Sequence, residues 1–505
     1  MVTRLLKTPG QAFGLVLVGF ILGIAGHSIY PWTKIDGWIW VAVFLVFTFL
    51  FYTLRRKKII KTVILILSAI LLGVWRFNLT IPGKSDGLLP WLYGYAQMRG
   101  HIVSVSGSDS NPTLTIKADQ VSGRDLNGPG RKTVARVQGG NYETGGEIIV
   151  ACRLMNPINY SSTYDRRKSL ARKDVWSECQ GTAMVISYFE PSHYDPLFFL
   201  SKLRQAITLR IHSIFPPDEA ALLAGILYGE QDFSDSQYKL FQRAGLMHIV
   251  AVSGSNVTIV VSILLPIFIW AGFHRRQTLW FISLSLLTFV GFVGFSSSVM
   301  RAAFMGWLVL LARHTGRIAW TSRLLLIAAV ILTLLNPWVL AFDAGFALSF
   351  LATWGILSWT PIFVKRLIII PKVFGLREIM STTSSATLMT APYLAWAFNR
   401  ESLIGLLTNL LALPLIPWSM LWGTVATLTS DLVVSRFVSL PAHGLLKTIL
   451  IIAGLSDYFL WLDLKFQFFS FYFMSATYLC LWRLWLVLNR DQDLSTEKIK
   501  HKYFL

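Results

Sequence analysis

Residues 246–273 form a largely apolar run that is interrupted by four consecutive non-apolar residues, Ser253-Gly254-Ser255-Asn256. Hydrocarbon supplies no hydrogen-bond partners, so polar groups at membrane depth must be satisfied by protein or must face water. A helix that only anchors a chain needs no such step. A broken helix lining a path or a binding site does.

Apolar runs recur along the whole chain, and composition fits them. Of the 505 residues 54% are hydrophobic and 14% charged, and mean hydropathy is +0.55. A soluble protein carries about 25% charged residues. The chain therefore reads as a polytopic α-helical membrane protein with an inserted small extracytoplasmic all-β domain. Its formal charge of +20 does not by itself indicate nucleic acid. Many of the cations sit in short connections (Arg4 and Lys7, Arg55 to Lys58, Arg275-Arg276, Arg313 and Arg317, Lys365-Arg366, Lys372 and Arg377), as the positive-inside rule places them in cytoplasmic loops.

Residues 1–80 hold three apolar runs, Ala12 to Ala25, Trp38 to Tyr52 and Val63 to Val74, with basic residues on one side. They predict three transmembrane helices starting from a cytoplasmic N-terminus rather than a cleaved signal peptide. Residues 81–196 then lie outside. Period-two runs at His101 to Val105, Leu114 to Ala118, Thr133 to Val137, Glu147 to Leu154 and Gly181 to Tyr188 suggest a small barrel of the oligonucleotide/oligosaccharide-binding (OB) type. Its basic cluster, Arg166, Arg167, Lys168, Arg172 and Lys173, is either a solvated face or an external contact to DNA phosphates. Cys152 and Cys179 lack the spacing of a zinc site, and in an external domain a disulfide between them is plausible. Residues 197–218 predict an amphipathic interfacial helix, with Leu203, Ile207 and Ile211 opposed to Lys202, Arg204 and Arg210. Residues 219–488 hold about ten further hydrophobic segments, each span needing ~20 residues. Residues 489–505 read as a short, polar, disordered tail.

Four blocks carry the chemical signal. The first, Ala221 to Gln231, has Gly225 and Gly229 spaced for close helix packing; Gly345 in the fourth block is expected to pack similarly. The second is His248 to Val257, in which His248 is either a satisfied core histidine or a path residue. The third is Ser296 to Gly306, with Ser298 and Arg301. The fourth runs from Asn336 to Ala352, with Asp343 and Ser349. Intramembrane ionisable residues mark paths or partners. Arg301 is expected to attract phosphate; Asp343 either lines the same path or forms a structural ion pair.

In order and content these blocks resemble the membrane domain of the ComEC family, the DNA-internalisation channels of bacterial competence. The matching residues are Gly229-Glu230, Gly245-Leu246-Met247-His248-Ile249-Val250-Ala251-Val252-Ser253-Gly254, Ser298-Val299-Met300-Arg301-Ala302, Asp343-Ala344-Gly345-Phe346-Ala347-Leu348-Ser349-Phe350 and Asn409 to Leu415. Two positions depart: many members have His where Asn256 stands and Gln where Ala347 stands.

The resemblance implies a multi-pass protein of the bacterial cytoplasmic membrane that imports single-stranded DNA. Its path would be lined by His248, Ser253, Gly254, Ser255, Asn256, Ser298, Arg301, Asp343 and Ser349. Partners implied are DNA, membrane lipids, a DNA receptor outside and a motor or DNA-binding protein inside. Many members also carry a metallo-β-lactamase-like domain. The nine histidines here include no His-x-His-x-Asp-His, and no nucleotide-binding loop occurs, so no metal, cofactor or catalytic residue is expected and strand degradation would need a separate nuclease. Two rivals stand beside this reading. One is a transporter of another anionic solute, such as a lipid-linked or oligosaccharide precursor. The other is a hydrolase using Ser253 with His248, disfavoured because their spacing puts them on poorly aligned faces.

Overall fold

Three apolar helices open the chain, Pro9–Ile29, Gly37–Leu54 and Lys58–Asn78. The computed structural model describes residues 9–29, 37–54, 58–83, 85–106, 111–140, 142–158, 166–191, 196–230, 233–250, 254–294, 297–314, 321–368, 375–429, 435–465 and 469–503. The chain forms two compact units, residues 1–204 with 323–344, and residues 205–322 with 345–505.

In the first unit, helices Pro9–Ile29 and Lys58–Asn78 pack backbone to backbone. A Cβ on Gly23 would lie 2.0 Å from the Ile70 carbonyl oxygen, and one on Gly73 would lie 2.3 Å from that of Phe20. Small residues at the contact let the two backbones approach this closely. Arg76, near the end of its helix, donates from Nε to the Leu334 carbonyl at 2.6 Å and from Nη2 to that of Leu335 at 2.9 Å. These are terminal carbonyls of helix Thr321–Leu335, which lack intrahelical partners and carry its negative dipole end.

The barrel has five long strands, β1 (Tyr95–Ser106), β2 (Thr113–Val121), β4 (Lys132–Val137), β5 (Glu147–Met155) and β6 (Val175–Phe189), with the two-residue β3 (Arg124–Asp125) appended to β2. The order β1-β5-β6-β4-β2 closes through β1–β2, and β4 runs parallel to β6. Each period-two run of the sequence falls on one of these strands. Alternate residues point inward: Ala96, Met98 and Ile102 of β1, Leu114, Ile116 and Ala118 of β2, and Ile148, Val150 and Leu154 of β5 share one core. Cys152 and Cys179 are disulfide-bonded, tying β5 to β6. A loop of this size is worth roughly 3 kcal/mol in the chain-entropy account. On the exposed face Arg99 donates to Glu147, and that hydrogen bond holds the Glu147 carboxyl below its ordinary range.

The second unit is helical. Pro217–Tyr228 is buried along most of its length and packs with Phe241, Leu246, Ile416, Met420, Leu446 and Ile449. Helices Gly254–Trp270, Arg275–Val293 and Ser297–His314 share a second core built on Val257, Ile282, Leu286, Val290, Val299 and Ala303. Helix Ala344–Arg366 joins Leu376–Phe398 and Phe471–Tyr503 through Trp359, Ile362, Met389 and Trp485.

Among the described residues five helices are long and apolar enough to cross a membrane: Arg276–Val293, Ala344–Arg366, Gly405–Leu428, Phe437–Phe459 and Phe471–Asn489. Exposed Trp280, Leu284 and Leu287 on the first of these suit hydrocarbon better than water. Several other apolar runs form shorter helices. Pro217–Tyr228 has 12 residues, about 18 Å of helix against a hydrocarbon core of ~30 Å. The span Gly405–Leu428 itself consists of two helices, Gly405–Ala412 and Ile416–Leu428, joined by a 3-10 turn containing Pro414. The polar tail, expected to be disordered, instead continues the last helix to Tyr503.

Replacing Gly23 with Val forces the first and third helices apart. Thermal unfolding of the purified protein should register a loss of about 1–3 kcal/mol, the usual cost of overpacking, whereas Gly14→Val, at a position with nothing nearby, should change little.

Candidate functional site

The interrupted apolar run forms two helices, Met247–Val250 and Gly254–Trp270. Ser253 lies outside the described residues. Gly254, Ser255 and Asn256 begin the second helix, and their side chains, like that of Ser298, also lie outside them. His248 donates from Nδ1 to the Gly245 carbonyl at 3.1 Å, since a carbonyl can only accept. Among the described residues no carboxylate orients this ring as hydrolytic base chemistry requires.

The turn before His248 is held by a neighbouring helix. Gly245 has φ +68°, and a Cβ there would lie 2.9 Å from the Cα of Gly405. Thr408 Oγ1 donates to the Ala244 carbonyl at 2.6 Å, and Ser402 donates to that of Arg243. Helix Gly405–Ala412 thus fixes the entry to the broken helix.

Arg301 projects from helix Ser297–His314 and is only 7% exposed. Its guanidinium lies over the Phe350 ring, 5.7 Å from the centroid. Among the described residues its Nη1 has no hydrogen-bond partner. An aromatic face offsets part of the desolvation of a buried cation, but an unmade hydrogen bond to a charged group remains costly. The third and fourth sequence blocks therefore meet at Arg301 and Phe350. Ser349, one residue earlier, accepts at its carbonyl from Thr353 Oγ1 at 2.8 Å.

Two further buried polar atoms in this unit lack partners among the described residues, Ser381 Oγ and Asn409 Oδ1. Ser381 begins a hydroxyl-rich stretch of helix Leu376–Phe398, with Thr383 and Ser385 also buried. Ser385 donates to the Ser381 carbonyl at 2.6 Å and receives from Thr360 Oγ1 at 3.1 Å. The sequence announces this stretch as Ser381-Thr382-Thr383-Ser384-Ser385, but its hydroxyls escape a search for ionisable residues.

Asp343 belongs to the first unit and forms an ion pair with Arg172 of the barrel. Of the two readings of Asp343, path residue or structural ion pair, the pair with Arg172 is present; Arg301 makes an aromatic contact. The basic cluster is likewise engaged: Arg166 pairs with Glu178 at 2.7 Å, and Lys168 lies over the Phe342 ring at 5.4 Å. Arg167 and Lys173 are exposed.

The family model for competence proteins matches residues 226–491. The chain belongs to the competence protein family. It is similar to "ComE operon protein 3" of Bacillus subtilis (strain 168), 28% identical over 273 residues, which are 54% of this chain and 34% of that protein. The chain thus spans well under half the length of that relative. No solved structure matches the chain.

Most of the second unit falls within the competence match, and so do His248, Arg301, Asp343, Ser349 and Asn409. The barrel precedes it. Of the glycines expected to pack helices, Gly225 is buried in helix Pro217–Tyr228. Gly229 instead ends that helix in the left-handed region, φ +77°, its N–H bonded to the Gly225 carbonyl, and Gly345 is exposed. Glu230 accepts from Thr208 Oγ1 at 2.9 Å. Among the described residues no cluster of His, Cys, Asp or Glu is placed to hold a metal ion.

Phe350→Leu keeps an apolar side chain but removes the ring face under Arg301. We expect it to lower stability by about 2 kcal/mol, the scale of a desolvated cation–π contact, read by thermal unfolding in detergent, with Arg301→Met/Phe350→Leu losing no more than Arg301→Met alone.

Proposed function

We propose that this chain is a channel of the bacterial cytoplasmic membrane that passes single-stranded DNA inward during natural transformation. The observation that carries the reading is Arg301: a buried guanidinium in a competence-family helix, with an aromatic ring on one side and an unpartnered Nη1 among the described residues. A strand carries one negative charge per nucleotide, so a path for it needs a few cationic or dipolar contacts that do not bind too tightly. Hydroxyls and amides such as Ser381 and Asn409 supply neutral contacts of that kind.

The barrel is the receiving domain. Its strand order, with one parallel pair among five strands, supports an OB-type assignment, a fold suited to oligonucleotides. The Cys152–Cys179 bond supports an oxidising, extracytoplasmic side. With the barrel outside, three preceding helices that each cross the membrane would leave the N-terminus in the cytoplasm. In this reading the chain conducts and does not cleave; a receptor outside, a motor or DNA-binding protein inside and a separate nuclease complete the process.

Arg301→Glu in the native host tests the reading. Fluorescent DNA should reach the cell surface but not the cytoplasm, with the variant inserted at normal level, and Arg301→Lys should restore part of the entry. Normal cytoplasmic entry with Arg301→Glu would contradict it.

A further inference from the structure

The basic cluster of the barrel and the Asp343 that opens helix Ala344–Arg366 form one built junction within the first unit. Helix Arg166–Arg172 ends where Lys173 and Asp174 fold back: their N–H groups donate to the Leu170 and Ala171 carbonyls at 2.9 Å, and Asp174 takes a left-handed φ of +62°. Asp174 Oδ1 accepts from the Gly130 N–H at 3.0 Å and from Trp176 Nε1 at 3.3 Å, which fixes the helix end to the barrel.

Arg172 is grasped twice there. Its guanidinium pairs with Asp343, and its carbonyl accepts from Asn336 Nδ2 at 2.8 Å. Behind the pair, Trp338 packs on Phe77 with ring centroids 4.6 Å apart and on Trp176 at 5.4 Å, and it donates from Nε1 to Thr80 Oγ1 at 2.9 Å. The Asp343 side chain is 8% exposed, whereas that of Arg172 keeps 26% of its surface in solvent. Arg167 and Lys173 of the same basic cluster are exposed.

A guanidinium buried with a carboxylate yet open on one side, in a basic rim, can be claimed by a second anion. Carboxylate and phosphate compete for the same planar donor fork. We infer that Arg172 is shared: Asp343 clamps it in the empty protein, and the phosphate backbone of single-stranded DNA arriving on the basic rim displaces Asp343. This rests on the DNA reading above and adds its regulation. Strand binding then loosens segment 336–344, which leads directly into the competence-family helix, and by linkage anything that weakens the clamp strengthens strand binding. In that scheme Asp343 is a positioning residue and touches no DNA.

The test is binding of a fluorescent oligothymidylate to the purified full-length chain at fixed salt. Asp343→Asn should bind roughly fivefold tighter or more, the lower range of allosteric coupling. The gain should vanish in Arg172→Ala/Asp343→Asn compared with Arg172→Ala. Asp125→Asn, an equal change of charge at an exposed barrel position, should show no gain. Equal affinity of wild type and Asp343→Asn, a gain surviving without Arg172, or an equal gain from Asp125→Asn would overturn the inference. Hydrogen exchange on the wild type gives a readout that needs no variant. The Val339 and Phe342 amides, bonded to Asn336 and Trp338 carbonyls, should exchange faster when oligonucleotide saturates the protein; unchanged or slower exchange would overturn it. Failure of the wild type to bind any oligothymidylate would instead overturn the DNA reading, and this inference with it.

Discussion

Hydrocarbon cannot hydrogen-bond, so every polar group carried into it must find its partner inside the protein. The second unit is organised by that demand. Hydroxyls on its helices bond back to carbonyls one turn earlier, as Ser385 does to Ser381 and Thr427 to Gly423. The turn at Gly245 is closed by Thr408 and Ser402. Against that background of satisfied groups, Arg301 stands out as a buried cation held by a ring and by no described hydrogen bond at Nη1. Residues that break the rule at a cost are where function is expected.

The first unit solves a different problem, joining a β-barrel to apolar helices. It does so with an aromatic stack around Trp338, a guanidinium cap from Arg76 on a helix end, and the Arg172–Asp343 pair. A buried ion pair is weak evidence for stability, because desolvation opposes the Coulombic gain, but breaking one partner is costly. Such a pair suits a junction whose geometry matters and whose release can be coupled to an arriving anion.

Much of the barrel was legible in the sequence. A half-buried strand writes its period of two directly into the residues, and Leu114, Ile116 and Ala118 show it. A small barrel was expected from these runs, but the strand order and the parallel β4–β6 pair were not legible, because pairing partners are set by contacts distant in sequence. The Arg172 junction escaped for the same reason: Asn336 and the carbonyl it binds are 164 residues apart. Both ends read as local features, one as a basic patch and the other as a path residue or half of an ion pair whose partner was not identified. Apolar runs were visible, but how many make full spans was not, since a Pro here can sit at a break, as Pro414 does, or inside a continuous helix, as Pro361 and Pro392 do. The glycine contacts of helix Pro9–Ile29 were missed because Gly19 and Gly23 look like ordinary apolar filler. In the competence-family blocks, Arg301 was legible as a lone cation in an apolar helix; Phe350 beside it was not.

The central claim is that this chain conducts a nucleic acid strand, and transport by the protein alone tests it most directly. The purified chain would be reconstituted into lipid vesicles enclosing a DNA-binding protein as a trap, and labelled single-stranded oligonucleotide would be added outside. The account predicts trapped label inside wild-type vesicles, little in Arg301→Glu vesicles, and little when duplex replaces the single strand. Wild-type and protein-free vesicles trapping the same amount, with insertion of the protein verified, would contradict it.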